Sequence, residues 1–234
     1  NKEIISDDST MTKIVNISLE EKPTGEIMAE AGFGTEGGTV GFGIRENNFL
    51  GKGITLDSNF SLSSESFKGK FSVTNPNFHN TDKSIYVSAE AIETDNFKTT
   101  GYKTKKTGIS LGTNFEYLND FYLGLGNSNF YETIETNATA SARQKAQEGN
   151  YWDSFLKLDL DYDKRNQKYQ TTSGFRTFYS LDLPIISDTN TIKNYFNQSH
   201  YFDLYEKNIS NISFYFETAH SLNNNDIKLS ERIK

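Results

Sequence analysis

Lys157, Asp159, Asp161, Asp163 and Arg165 occupy every second position of one short stretch. Alternate side chains of an extended strand share a face, so three carboxylates and two cations would stand side by side. Three carboxylates could offer a hard cation such as calcium several oxygen ligands. Lysine and arginine bracket the acids, however, and Leu156, Leu158 and Leu160 fill the opposite parity. A solvated wall laced with ion pairs accounts for all of this, and the five charges are read as lumen-facing rather than metal-binding. His79, His200 and His220 are too scattered for metal-ligand spacing, and Glu90 and Glu93 fall on opposite parities. Gly32, Gly34, Gly37 and Gly38 suggest a phosphate loop until Val40, Phe42 and Ile44 resume strand alternation where a helix would have to begin. A tight hairpin with glycines at positive φ is expected instead. No nucleophile, base or ligand set converges, so neither an enzyme nor a cofactor or metal is implied.

The elements that carry these residues follow a period of two. Ile54, Leu56, Phe60 and Leu62 share one parity; Ile85, Val87, Ala89 and Ala91 do the same, as do Ile109, Leu111, Thr113, Phe115 and Tyr117. Strands are predicted over 26–35, 38–47, 54–64, 66–75, 83–95, 104–118, 120–134, 151–163, 174–184, 194–206 and 209–223. Upstream, Val15, Ile17 and Leu19 alternate within 12–20, and Glu20–Gly25 with Pro23 reads as a breaker. If the strand at 26–35 rises from the N-terminal side, the gaps sort onto two ends. The longest, 135–150, lies at the far end with 96–103 and 185–193; 164–173 is long for the near end. Pro23, Pro76 and Pro184 fall before, between and after strands, and no short repeat suggests a solenoid.

The 234 residues are only 35% hydrophobic with a mean hydropathy of -0.65. A barrel strand averages a lipid face with a wet face, so low hydropathy is compatible with a membrane location. No run approaches the roughly 20 apolar residues of a spanning helix. The 18 Phe and 13 Tyr suit strands and interfacial girdles, though a β-sandwich would use them too. A net charge of -7 with scattered basic residues argues against nucleic acid, and the absence of cysteine excludes disulfides and thiolate sites. The chain opens on Asn1 with no signal-like segment, so it reads as an interior piece of a longer exported precursor.

Ordered strings along the whole chain resemble one family. Glu20-Glu21-Lys22-Pro23-Thr24-Gly25-Glu26-Ile27 is similar to the junction between the last POTRA domain and the barrel of the BamA family of outer-membrane protein assembly factors, in the bacterial surface antigen superfamily. Gly32–Val40 resembles that family's first barrel hairpin, Asn47–Gly53 its turn between strands two and three, and Thr74–Phe78 its turn after strand four. Asp161–Asn166 followed by Thr171–Gly174 resembles a turn near the middle of the barrel, and Leu229–Arg232 the approach to a long inward-folded loop. The resemblance implies an all-β chain: an antiparallel transmembrane β-barrel, about the first eleven of sixteen strands, at 25–234. Residues 1–24 would be the end of a POTRA domain. It further implies unfolded outer-membrane proteins as clients, accessory assembly lipoproteins and periplasmic chaperones reached through POTRA domains, contact with outer-membrane lipid, and a Gram-negative outer-membrane location.

Within that frame the first strand is the functional candidate. Ile27, Ala29, Ala31 and Phe33 give it a thin apolar face, and Gly32 and Gly34 weaken its end. A poor first strand makes the closing seam easy to open, and an opened seam presents unpaired backbone to a client strand. A sister translocation and assembly module, a two-partner secretion translocator, a passive porin and a soluble lectin-like sandwich remain as alternatives.

Overall fold

A computed structural model gives the fold and describes residues 2–7, 12–17, 20, 22–34, 37–205, 208–223 and 225–233. Two short strands, β1 (Lys2–Asp7) and β2 (Thr12–Ile17), pair antiparallel as a separate sheet. Alternation at Val15 and Ile17 signalled β2; β1 was not anticipated. Leu19, Thr35 and Glu206, expected at strand ends, and Glu36 and Lys207, expected in turns, lie outside the described residues.

The remaining strands form one eleven-stranded antiparallel sheet in strict chain order. They are β3 (Gly25–Gly34), β4 (Gly37–Phe49), β5 (Ile54–Ser63), β6 (Ser66–Asn75), β7 (Lys83–Asn96), β8 (Tyr102–Leu118), β9 (Phe121–Thr136), β10 (Gly149–Asp163), β11 (Gly174–Ser187), β12 (Thr191–Tyr205) and β13 (Asn208–Ser221). Among the described residues no second large sheet is stacked on this meander, which is not the architecture of the sandwich alternative. Most of the expected strands match within two or three residues.

Register sorts the sheet into two faces, since a one-residue slip would exchange them. Ile27, Ile44, Ser58, Phe71, Ala89 and Ile109 are cross-strand partners in one row of the apolar face. The next row toward the near end carries Leu56, Val73, Val87, Leu111, Asn127 and Leu156. Most of these side chains are exposed, with little from the described residues covering them. On the other face Ser72, Ser88, Ser110 and Ser128 form a polar row.

Aromatic belts bound the apolar face. At the near end Phe121, Tyr162, Phe175 and His200 run across four strands with ring centroids 6.3, 5.6 and 5.5 Å apart. At the far end Tyr131 and Trp152 pair and are each about half exposed. Trp152 and Tyr162 are about ten residues apart on β10, or roughly 34 Å along the strand and about 24 Å if tilted near 45°. That matches the apolar height of an outer-membrane wall, about 25 Å.

Three local departures have physical causes. Pro184 does not end its strand: β11 continues to Ser187, and the β10–β11 register slips between Ser154 and Phe155, where Phe155 faces Pro184. A bulge there tolerates the missing N–H. The expected 135–150 loop contains one turn of helix, α1 (Ala142–Lys145), closed by a capping box in which Ser141 and Gln144 exchange side-chain and backbone bonds. The long near-end turn is stapled by Asn166, whose Oδ1 accepts from Thr172 and Ser173 N–H at 3.1 and 3.2 Å.

Gly174 closes that turn at φ 100°, where a Cβ would strike the Lys164 carbonyl. Gly174→Ala is therefore expected to cost about 1–3 kcal/mol. Faster hydrogen exchange over 164–174 would report it; unchanged exchange would contradict the steric argument.

Candidate functional site

Entry into β3 is clamped at the near end. The Thr24 hydroxyl donates to Glu46 at 2.5 Å, and Asn47 donates to the Thr24 carbonyl through its backbone N–H at 3.2 Å and its side chain at 3.1 Å. Glu46 also accepts from Asn48 N–H, and Asn48 from Gly53 N–H, both at 2.7 Å. Leu50, Gly51 and Gly53 complete the turn at positive φ.

Beyond the clamp, β3 is thinly packed. Ile27, Ala29, Ala31 and Phe33 face Ile44, Phe42, Val40 and Gly38, and Ile27 and Phe33 are 75% and 98% exposed. A Cβ on Gly32 would meet nothing within 4 Å, and Gly34 pairs with Gly37. Of the hairpin glycines, Gly37 takes the expected positive φ and Gly32 and Gly38 do not. On the polar face Glu30 and Met28 lie over Gly41 and Gly43, whose missing side chains leave room for them. Cross-strand side-chain pairs stabilise sheets, and here most pairs contain glycine or alanine. By contrast β9 and β10 match Leu125 with Leu158 and Leu123 with Leu160. Among the described residues the other edge of β3 has no strand partner.

The charged stretch of β10 lies on the polar face. Lys157 and Asp159 line a hollow of about 480 Å³ with Ser72, Ser88, Ser110 and Asp182. Asp161 pairs with Arg176 of β11 at 2.7 Å and Asp163 with Arg165 at 2.7 Å. Asp159 accepts from the Ser180 hydroxyl at 2.6 Å and lies 3.9 Å from Lys157. Arg165 sits past the end of β10 and folds back onto Asp163. Each carboxylate thus has a local donor, and the cation from β11 was not part of the sequence pattern.

A second cluster escaped sequence reasoning altogether. The segment after β13 returns across the far end of the polar face and buries Lys228 and Leu229. The Lys228 ammonium contacts Asp153, lies 2.9 Å from Glu132 and 4.0 Å from Glu231. Glu231 lies 3.6 Å from Lys193 and accepts from Thr189 at 3.4 Å. Gln147 bridges the segment, accepting from Leu229 N–H at 3.0 Å and donating to the Ile227 carbonyl at 3.2 Å. Burial works against the Lys228 charge, but the fields of Glu132 and Glu231 and bonds to Asp153 and Glu132 outweigh it. They hold its pKa above the ordinary lysine value. Lys228 lies 96 and 75 residues from its partners Glu132 and Asp153, so no local spacing could reveal the cluster.

One meandering sheet, wet on one face and oily and aromatic-belted on the other, is the wall of an outer-membrane β-barrel. The model of the Omp85 superfamily domain matches residues 48–234, and the chain belongs to that superfamily. Among solved structures it is similar to BamA from Haemophilus ducreyi lacking POTRA domains 1-3, with a TM-score of 0.77 at 21% identity. The match covers 99% of this chain and 48% of that one, so the chain spans about half its length. No curated protein matches significantly.

Proposed function

We propose that this chain forms the first part of the barrel of a non-enzymatic factor that folds and inserts β-barrel proteins into the Gram-negative outer membrane. Its polar face would line the lumen, and β1 and β2 would belong to the end of a POTRA domain. Clients would be unfolded outer-membrane proteins, delivered by periplasmic chaperones and accessory lipoproteins that engage the POTRA region. The observation that carries this reading is β3: a strand clamped at one end and thinly packed along its length.

The physical case rests on backbone hydrogen bonds. Each bare N–H or C=O in lipid costs several kcal/mol, so a client strand must be paired as it enters. An exposed strand edge supplies those partners in register, and small side chains reduce what must be displaced to uncover it. Glu26, Ile27, Met28, Ala29, Glu30, Ala31, Gly32 and Phe33 would form that template, with Gly34 at its tip.

Cysteines placed singly along 26–33 of the intact protein test it. Disulfides to the terminal strand of a stalled client should form at positions of matching register and fail at mismatched ones. A folded, functional protein that yields no such crosslinks at any position overturns the templating step.

A further inference from the structure

We propose that the apolar face carries a binding site for an anionic, phosphorylated membrane lipid between β7 and β10, remote from β3. A groove of about 390 Å³ is lined there by Ala89, Thr107, Ile109, Asn129, Tyr131 and Trp152, with Glu90 at its edge on the opposite strand parity. Its walls are the far-end aromatic pair, each ring about half exposed, and Ala89 leaves space where a larger side chain would fill it. The Asn129 amide donates along this face to Asn127 at 2.6 Å, and Asn127 donates to Ser154 and the Phe155 carbonyl at 3.2 and 3.0 Å. Amide donors of both asparagines are thereby engaged by neighbouring side chains and backbone, and a hydrocarbon chain can lie against them at a reduced desolvation cost.

Charge selects the headgroup. Lys105 stands on the same face of β8, two residues above Thr107 and about 7 Å farther toward the loops. Its cross-strand neighbour Glu93 is committed to Lys103, so Lys105 has no carboxylate partner among the described residues. A long cationic side chain just above an apolar groove can reach the interface and meet a phosphate while an acyl chain fills the groove below. Trp152 fixes one wall, since its backbone N–H donates to Asp188 at 2.9 Å.

The chain's single tryptophan makes the site observable. The intact protein is placed in phosphatidylcholine vesicles containing a minor fraction of acyl-brominated phosphatidylglycerol, and the Trp152 signal is taken as the difference from Trp152→Phe. Quenching should exceed that expected from the mole fraction about fivefold, which is roughly 1 kcal/mol for one lysine at the surface. Brominated phosphatidylcholine should quench only in proportion to its abundance. Lys105→Gln should remove the excess and keep the proportional part, and Ala89→Phe should lower both. Equal quenching by the two lipids, or an excess that survives Lys105→Gln, means ordinary annular lipid and overturns the proposal. A Trp152 that neither lipid quenches is covered by protein, which overturns it too.

Discussion

Phe71→Arg should prevent stable assembly of the intact protein, whereas Ser72→Arg, one residue away, should be tolerated. Phe71 projects from the middle of β6 on the apolar face, opposite Ala89, and is about half exposed to whatever surrounds the wall. If that surrounding is hydrocarbon, an arginine there costs about 2–4 kcal/mol near the midplane. Total stabilities of 5–15 kcal/mol leave little room for such a loss during insertion. Ser72 projects the other way, in register with Asp57 and Ser88, where a cation meets water and a carboxylate. Heat-modifiable migration and urea unfolding in lipid vesicles would separate the two variants. Equal tolerance of both substitutions would mean that the face bearing Phe71 does not meet lipid.

The contrast between those two neighbours also explains what the sequence made legible. Period-two alternation determines which residues share a face, and β6, predicted as 66–75, was found at Ser66–Asn75. Runs such as Leu156, Leu158 and Leu160 against Lys157, Asp159 and Asp161 carry both face and register in their order. Alternation is silent wherever the chain departs from a ladder. Pro184 was read as a stop because a proline cannot donate, yet a bulge absorbs it. The helical turn at Ala142–Lys145 is too short to show a period. Arg176 joins Asp161 only because β10 and β11 are in one register, which is a property of pairing and not of either strand alone. The thin packing of β3 was visible as alanines and glycines, but Gly41 and Gly43 beneath Glu30 and Met28 required the register of β4.

Lys228 is the extreme case of information held in pairing, and its removal should have a large effect confined to one segment. Lys228→Met leaves Glu132 and Asp153 facing each other in a buried pocket without their cation, and breaking such a pair typically costs about 3–5 kcal/mol. Gln147, the exposed Arg143–Asp226 pair and the contacts of Glu231 with Lys193 and Thr189 are then what holds 225–233 to the wall. The strands have their own ladders, so the loss should appear as release of this segment, with trypsin cutting after Arg232 while the sheet stays protected. Adding Glu132→Gln and Asp153→Asn to Lys228→Met removes the stranded charges and should restore much of the protection. The pH dependence has a definite sign: because the folded-state pKa of Lys228 is raised, its contribution is complete below the ordinary lysine value and fades only as pH climbs past it. Rapid cleavage of the unmodified segment at neutral pH, or no change in Lys228→Met, would show that the buried ammonium does not hold it.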